Sequence, residues 1–321
     1  MKNNNTISII WNVTARCPWN CKFCVMSAGN HRSCPIDLPQ KLQVARNIDE
    51  ADVKIDLSGG EIFNDREKDE NMKLIEFLSK KHGKERIGIS CSGYNIDNET
   101  ASFLRENVHE VEMTMDAAPG IKYEYRYCFP NSKSNYHSVA GKAAELLKKH
   151  GIYTGLQTVL TREHLERPEM LAGLRHWIAK RNIDEWSLIR YFAAGRGKRF
   201  ANLVITDSEN EELVRFAKEL CKKEGSPKLD IHYLRPGTDK PKGCRCVKKS
   251  IGILPDGTVT ACFWGLDGKG RAVPEYYLGN LLEQPLSEIL NGENAVKWKN
   301  YHGGCKFCSA ADSLNNEEII K

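Results

Sequence analysis

The chain has 321 residues, enough for one large domain or a large one with a small companion, and its apolar and charged fractions are ordinary for a globular protein. A net charge of +5 is too mild to indicate nucleic acid. Met1 to Thr6 is polar and lacks the apolar core of a signal peptide, and no uninterrupted apolar stretch approaches membrane-spanning length, so a cytoplasmic protein is expected.

Short β-rich runs alternate with helix-length amphipathic stretches from Ile7 to about Phe192, the pattern of βα units around a parallel sheet. The first strand candidate, Ile7 to Thr14, is followed by Cys17-Pro-Trp-Asn-Cys21-Lys-Phe-Cys24. The remaining strand candidates are Val53 to Leu57, Ile87 to Cys91, Val111 to Met115, Tyr153 to Leu160 and Trp186 to Tyr191. Helices are expected around Leu38 to Asn47, Asn71 to Lys80, Glu99 to Glu106, His137 to Lys149 and Pro168 to Lys180, the fourth stopping near His150 at Gly151. A further helix, about Asp207 to Glu224, has Asp207 and Ser208 as expected caps. Lys228 to Lys249 shows no sustained period, so a domain boundary is placed near residue 225. Beyond it, Ser250 to Leu254 and Thr258 to Phe263 flank Pro255-Asp256-Gly257, a turn signal between two β runs, and short helices are expected to follow.

Twelve cysteines without a secretion signal point to metal binding or catalysis, because a reducing cytosol removes the disulfide explanation. Cys17, Cys21 and Cys24 form one group and Cys244, Cys246, Cys262, Cys305 and Cys308 a second, leaving Cys34, Cys91, Cys128 and Cys221 scattered. Three cysteines ligate only three irons of a [4Fe-4S] cubane, which leaves one iron open for an external ligand and so implies chemistry at the cluster. A structural zinc site would need a fourth ligand such as His31 or Cys34.

The Cys-x3-Cys-x2-Cys spacing, with Phe23 ahead of the last cysteine, resembles the signature of the radical S-adenosylmethionine (SAM) superfamily. That resemblance implies a partial (β/α)6 TIM-like barrel in which SAM chelates the open iron and is split reductively to a 5′-deoxyadenosyl radical. It also implies that Ser58-Gly59-Gly60-Glu61, after the second strand, holds the methionyl amine, with the glycines allowing close approach to the ligand and Glu61 accepting from the ammonium. Ser92 at the end of the third strand, Asp116 at the end of the fourth, and Gln157 and Thr158 in the fifth are the expected contacts to the ribose or carboxylate of SAM. Arg190 is the preferred carboxylate or substrate ligand, whereas Arg196 and Lys198 read equally well as a solvated basic loop.

The second cysteine group lies in a tail too short to bury much apolar area, so a metal crosslink is physically sensible. Its arrangement resembles a twitch or SPASM-like auxiliary domain over residues 226–321, a β-hairpin plus helix. Family spacing favours Cys244, Cys262, Cys305 and Cys308 as ligands of one auxiliary [4Fe-4S] cluster. Cys246 is an alternative ligand, a bystander, or a catalytic thiol that returns a hydrogen atom to substrate.

These readings imply hydrogen abstraction from a C–H bond of a small metabolite of sugar or aminoglycoside type, ending in dehydrogenation or epimerisation, with flavodoxin or ferredoxin as electron donor. The cluster loop begins at Cys17, which leaves no room for a leader-binding segment and favours a small molecule over a peptide. Maturation of a ribosomally made peptide is the second enzymatic reading. A structural zinc or iron–sulfur protein that binds nucleic acid is the non-enzymatic one, and it would need a continuous basic, aromatic-interleaved face that the short basic runs do not supply.

Overall fold

The computed structural model describes residues 6–126, 135–222, 225–232 and 246–301. Seven parallel strands form its body: β1 (Ile7–Thr14), β2 (Val53–Gly59), β3 (Ile87–Cys91), β4 (Glu110–Thr114), β5 (Tyr153–Leu160), β6 (Glu185–Arg190) and β7 (Lys228–His232). Between them run α1 (Leu38–Asn47), α2 (Lys68–His82), α3 (Asn98–Asn107), α4 (Tyr136–Lys149), a short α5 (Arg162–Glu166), α6 (Glu169–Lys180) and α7 (Asp207–Leu220). After them come β8 (Ser250–Ile253), β9 (Thr258–Thr260), β10 (Tyr277–Asn280), α8 (Leu286–Asn291) and α9 (Glu293–Lys299). All ten strands belong to one sheet, ordered β10-β9-β8-β1-β2-β3-β4-β5-β6-β7.

Local chemistry explains the helix starts. Asp37 accepts from the Gln40 N–H in a full capping box, Asp97 from Thr100, and Asn135 from His137 and Ser138. The cap of α7 is Thr206, whose hydroxyl accepts from the Glu209 N–H, and not the expected Asp207 or Ser208, which already lie within the helix. Gly151, at φ +67°, ends α4 as expected.

Two features differ from the sequence reading. The stretch Lys228 to His232, expected to be irregular, is a seventh parallel strand paired with β6; with five residues its alternation is too brief to stand out from the charged segment around it. The β8–β9 hairpin adds directly to the free edge of β1, with Ser8 opposite Ser250 and Trp11 opposite Ile253, so the C-terminal region continues the barrel sheet.

Strand alternation divides the sheet into two faces. On one, Ile9, Trp11, Val13, Ile55, Leu57, Ile89, Val111, Met113, Leu156 and Leu188 join Val44, Leu74, Leu78, Leu104, Leu147, Leu174 and Ile178 of the helices in a single buried cluster. Each fully buried aliphatic side chain there contributes about 1.5–3 kcal/mol. The opposite face carries Asn12, Asp56, Ser58, Ser90, Glu112, Gln157 and Ser187. Ser90 reaches Asp56 at 2.9 Å and Gln157 reaches Glu112 at 2.7 Å across neighbouring strands, so this face forms one continuous polar wall, the inner surface of the barrel lumen. Among the described residues no helix is long and apolar enough to cross a membrane.

Candidate active site

The loop after β1 is folded back on its own base before it presents its thiols. Gly29 donates to the Ala15 carbonyl at 3.1 Å and Cys17 to the Gly29 carbonyl at 3.3 Å, while the Cys24 N–H reaches the Cys21 carbonyl at 3.3 Å. Cys17 is buried and Cys21 and Cys24 are half-buried. Burial, with the neighbouring Cys21, Glu61 and Cys24, pushes the Cys17 thiol up; burial likewise lifts Cys21 to about 11, against the pull of Arg126. Three thiols on one loop could serve as the donor set of one cubane, and ligation would require all three as thiolates. Among the described residues no three His, Cys, Asp or Glu side chains converge closely enough for a single ion. Cys34, one of the conceivable fourth zinc ligands, directs its thiol to the Val13 carbonyl at 3.5 Å.

The base of this loop is locked to the end of β2. Gly60 donates to the Thr14 carbonyl at 2.7 Å and Glu61 to the Arg16 carbonyl at 2.8 Å. A Cβ on Gly59, at φ +130°, would lie 2.4 Å from the Thr14 carbonyl oxygen, and one on Gly60 would lie 2.1 Å from that of Arg16. The two glycines therefore admit the chain's own backbone, a role beyond the ligand approach expected from the sequence.

Glu61 is 1% exposed. One carboxylate oxygen accepts from the Ser92 N–H at 3.0 Å and from the Ser92 hydroxyl, the other from the Phe63 N–H at 3.4 Å. Burial pushes its carboxyl up to about 7, although the Ser92 donors favour the ionised form. Ser92 also accepts from the indole N–H of Trp19 at 2.6 Å. A hydrogen-bonded chain thus runs from the cysteine loop through Ser92 to Glu61, and Ser92 acts on Glu61 rather than facing open space.

Two arginines grip the loop: Arg126, which the sequence did not mark, and Arg196, which it left open as a solvated basic residue. Arg196, in the 3-10 segment Gly195–Leu203, donates twice to the Cys21 carbonyl at 2.9 and 2.7 Å and once to that of Ala28 at 3.0 Å. Arg126, in the β4–α4 connection, donates to Asp116 at 2.6 Å and to Thr114 at 3.3 Å, and its Nη1 lies 3.8 Å from the Cys21 sulfur. Its guanidinium stacks 5.1 Å from the Phe23 ring centre, and Phe23 packs with Tyr123, Tyr125 and Tyr191. Nothing in the local sequence marks Arg126, whereas Arg196 follows Gly195, which sits against the Val25 carbonyl where a Cβ would have 1.9 Å.

The other expected ligands separate by strand parity. Gln157 faces the lumen and donates to Glu112 at 2.7 Å. Thr158 faces the helices, donating to the Met115 carbonyl at 2.8 Å and accepting from Trp186 at 3.0 Å. Arg190 likewise turns outward, to Asp207 and the Ile205 carbonyl. Both Thr158 and Arg190 thus lie on the far side of the sheet from the lumen, because adjacent residues of a strand cannot share a face and only one parity looks inward. Asp116 gives one carboxylate oxygen to Arg126 and the other to the Val159 N–H at 2.8 Å. Ser58 pairs with Asn12 at the lumen wall.

In the C-terminal region Cys244, Cys305 and Cys308 lie outside the described residues. Cys246 and Cys262 are both buried. Cys246 bridges to Ser250, which is opposite Ser8, and Cys262 follows Thr260, which is opposite Gly252. From Ser8 to Thr14, where the cluster loop departs, β1 spans about 20 Å, so the register sets Cys246 at the far end of the strand from Cys17, Cys21 and Cys24. From Cys262 the chain returns toward the loop: Trp264 meets Phe192 at 5.3 Å between ring centres and the Gly268 carbonyl accepts from Ser27 at 2.9 Å.

A parallel barrel sheet whose first loop gathers three thiols beside a buried carboxylate defines an iron–sulfur enzyme of the partial-barrel type. The family described as the radical SAM superfamily matches residues 11–174, and an iron–sulfur cluster-binding SPASM domain matches residues 244–310. The chain belongs to the radical SAM superfamily. No curated protein matches it in sequence. Among solved structures, native anSMEcpe with bound AdoMet and Cp18Cys peptide superposes with a TM-score of 0.67 at 18% identity, covering 91% of this chain and 82% of the other. SuiB of Streptococcus suis, bound to precursor peptide SuiA, does so with a TM-score of 0.74 at 13% identity, covering 99% and 74%. The cofactors follow from the two families: a [4Fe-4S] cluster with SAM on the barrel, and auxiliary iron–sulfur binding in the C-terminal region. The residues present fit them, since a cubane needs three neighbouring thiols and the methionyl ammonium needs an acceptor such as the buried Glu61.

Proposed function

We propose that this enzyme takes a hydrogen atom from an unactivated C–H bond of a small polar metabolite of sugar or aminoglycoside type and ends as a dehydrogenase or epimerase. The observation that carries this reading is the lumen beneath the three-thiol loop, whose wall of hydroxyl, amide and carboxylate groups suits a hydroxylated molecule. When bound, the cluster and SAM supply one-electron reduction and a carbon-centred hydrogen-atom acceptor. Cys17, Cys21 and Cys24 would hold the metal, and Glu61, fixed by Ser92, would accept from the methionyl ammonium. Arg196 and the Asp116–Arg126 pair keep the loop at one height above the lumen, because a misplacement of about 1 Å can cost a hundredfold in rate. Phe23 with Tyr123, Tyr125 and Tyr191 excludes water from that side.

For the C-terminal region we propose one auxiliary [4Fe-4S] cluster held by Cys244, Cys262, Cys305 and Cys308, with flavodoxin or ferredoxin as the electron source. The far-end register of Cys246 supports a ligand or structural role for that thiol over hydrogen return to substrate. Peptide maturation is the second reading, favoured by the peptides seen in anSMEcpe and SuiB. Anaerobic reconstitution followed by SAM cleavage tests the assignment. About eight irons per chain with 5′-deoxyadenosine formed from SAM under dithionite is the expected result, and zinc with no SAM turnover overturns it.

A further inference from the structure

Among the described residues five carboxylates lie on the inward face, two of them paired with lysines and one with a histidine. Glu110 meets Lys54 at 2.7 Å, Glu185 meets Lys228 at 2.7 Å and Asp230 meets His232 at 2.9 Å. Asp56 and Glu112 are different. Asp56 accepts from the Ser90 hydroxyl at 3.2 and 2.9 Å, and Glu112 from the Gln157 amide at 2.7 Å and from Ser187. Among the described residues neither is in an ion pair and their hydrogen-bond donors are all neutral, although Lys54 draws the Asp56 carboxyl down and His232 that of Glu112. Burial pushes both carboxyls up, Asp56 to about 7, and Glu112 adds to the rise at Asp56. Two carboxylates that disfavour each other's charge in a half-enclosed space form a site that a cation relieves.

A second observation comes from the neighbouring strand. Asn12 has the inward parity of β1, stands opposite Ser58, and so lies one inward position beyond Asp56 along the wall. It is 0% exposed, yet neither its amide nitrogen nor its amide oxygen has a hydrogen-bond partner. Each unmatched buried polar atom costs about 1–3 kcal/mol, and a native wall does not leave two of them on one side chain without reason. A hydroxyl group answers both at once, accepting from the amide nitrogen and donating to the oxygen.

Resting on the function proposed above, we infer that Asp56, Glu112 and Asn12 form the substrate's recognition subsite: the two carboxylates take a protonated primary amine, and the Asn12 amide takes a neighbouring hydroxyl. The substrate class is an aminopolyol, an amino sugar or aminocyclitol whose ammonium is held in the lumen while the reacting carbon points toward the cysteine loop. Neutral sugars lack the charge, and a lysine side chain lacks the hydroxyl.

The test uses the anaerobically reconstituted full-length enzyme with SAM, titrated calorimetrically with D-glucosamine, N-acetyl-D-glucosamine and D-glucose, and with a blocked Gly-Lys-Gly tripeptide. Glucosamine is expected to bind about tenfold or more tighter than its two neutral counterparts, the margin of a charge-assisted pair. Asp56→Asn and Glu112→Gln, made separately so that one folded variant suffices, are each expected to erase that preference. Asn12→Ala is expected to weaken all three sugars alike. Equal binding of the three sugars, no binding of any, preference for the lysine peptide over glucosamine, or an undiminished preference in a folded Asp56 or Glu112 variant overturns the subsite. SAM cleavage by the unaltered enzyme is read in the same samples. If it fails, the proposed function falls; if it persists without amine preference, only the subsite falls.

Discussion

Gln157 and Thr158, and likewise Ser187 and Arg190, stand within three residues of each other on β5 and β6, yet they answer to different surroundings. Gln157 and Ser187 converge on Glu112 in the lumen. Thr158 ties β5 to the β4 backbone and to Trp186, and Arg190 ties β6 to the start of α7. The outward face buys stability through packing and satisfied polar anchors; the inward face keeps charge and hydrogen-bonding capacity in reserve. Polar residues near strand ends therefore carry no functional meaning until their parity is known.

The largest effect is expected where the two faces meet the cysteine loop. Gly60→Ala places a Cβ 2.1 Å from the Arg16 carbonyl oxygen and 2.7 Å from its carbon, so backbone must shift just ahead of Cys17. Iron incorporation is expected to fall, and SAM cleavage to drop by about a hundredfold or more. An iron count near that of the native protein would show that the loop tolerates displacement and that the glycines serve something else.

A sharper contrast sets Arg190→Ala against Arg196→Ala. Arg190 is 8% exposed and bonds Asp207 and the Ile205 carbonyl. Its loss is expected to cost about 1–3 kcal/mol of stability while leaving SAM affinity unchanged. Arg196 holds the Cys21 and Ala28 carbonyls, so its loss is expected to make the cluster labile in air with a smaller change in melting temperature. If the Arg190 variant lost SAM affinity at unchanged stability, the parity division would fail.

Much of this was legible from the sequence. Six βα units, the three-thiol loop, the Gly-Gly-Glu turn after the second strand and the Pro-Asp-Gly hairpin all rest on short-range signals, and the structure forms each of them. What was not legible depends on contacts between residues far apart in the chain. Thr206 caps α7 because the helix begins at Asp207, earlier than caps at Asp207 or Ser208 would allow. Arg126 and Arg196 reach Cys21 from 105 and 175 residues away. Asp56 and Glu112 did leave a trace, as inward-parity carboxylates alternating with Ile, Leu, Val and Met inside strands, but only the pairing of β2, β3 and β4 puts them on one face.

That neighbourhood predicts a pH signature. Asp56 holds its proton more tightly in the folded protein, near 7, than in the unfolded chain, near the model-peptide value of about 3.9. The stability it contributes is complete below about pH 4 and is lost as pH rises through 7. Asp56→Asn removes this dependence. The variant is expected to gain on the native protein between pH 5 and pH 8 by about 2 °C or more in melting temperature, measured without ligand. A constant difference across that range would mean the carboxylate stays solvated and the lumen is open at that level.

The smallest effect is expected at Cys34. Its thiol is half-buried and donates a long contact to the Val13 carbonyl, a backbone group outside the three-thiol loop. Cys34→Ala is expected to cost under about 1 kcal/mol and to leave the iron content and SAM cleavage of reconstituted protein unchanged. Loss of bound metal in this variant would give the loop a fourth sulfur ligand, close the open iron, and favour the structural metal site over catalysis. The engagement of the Cys34 thiol with the Val13 carbonyl of β1 is the reason to expect the opposite.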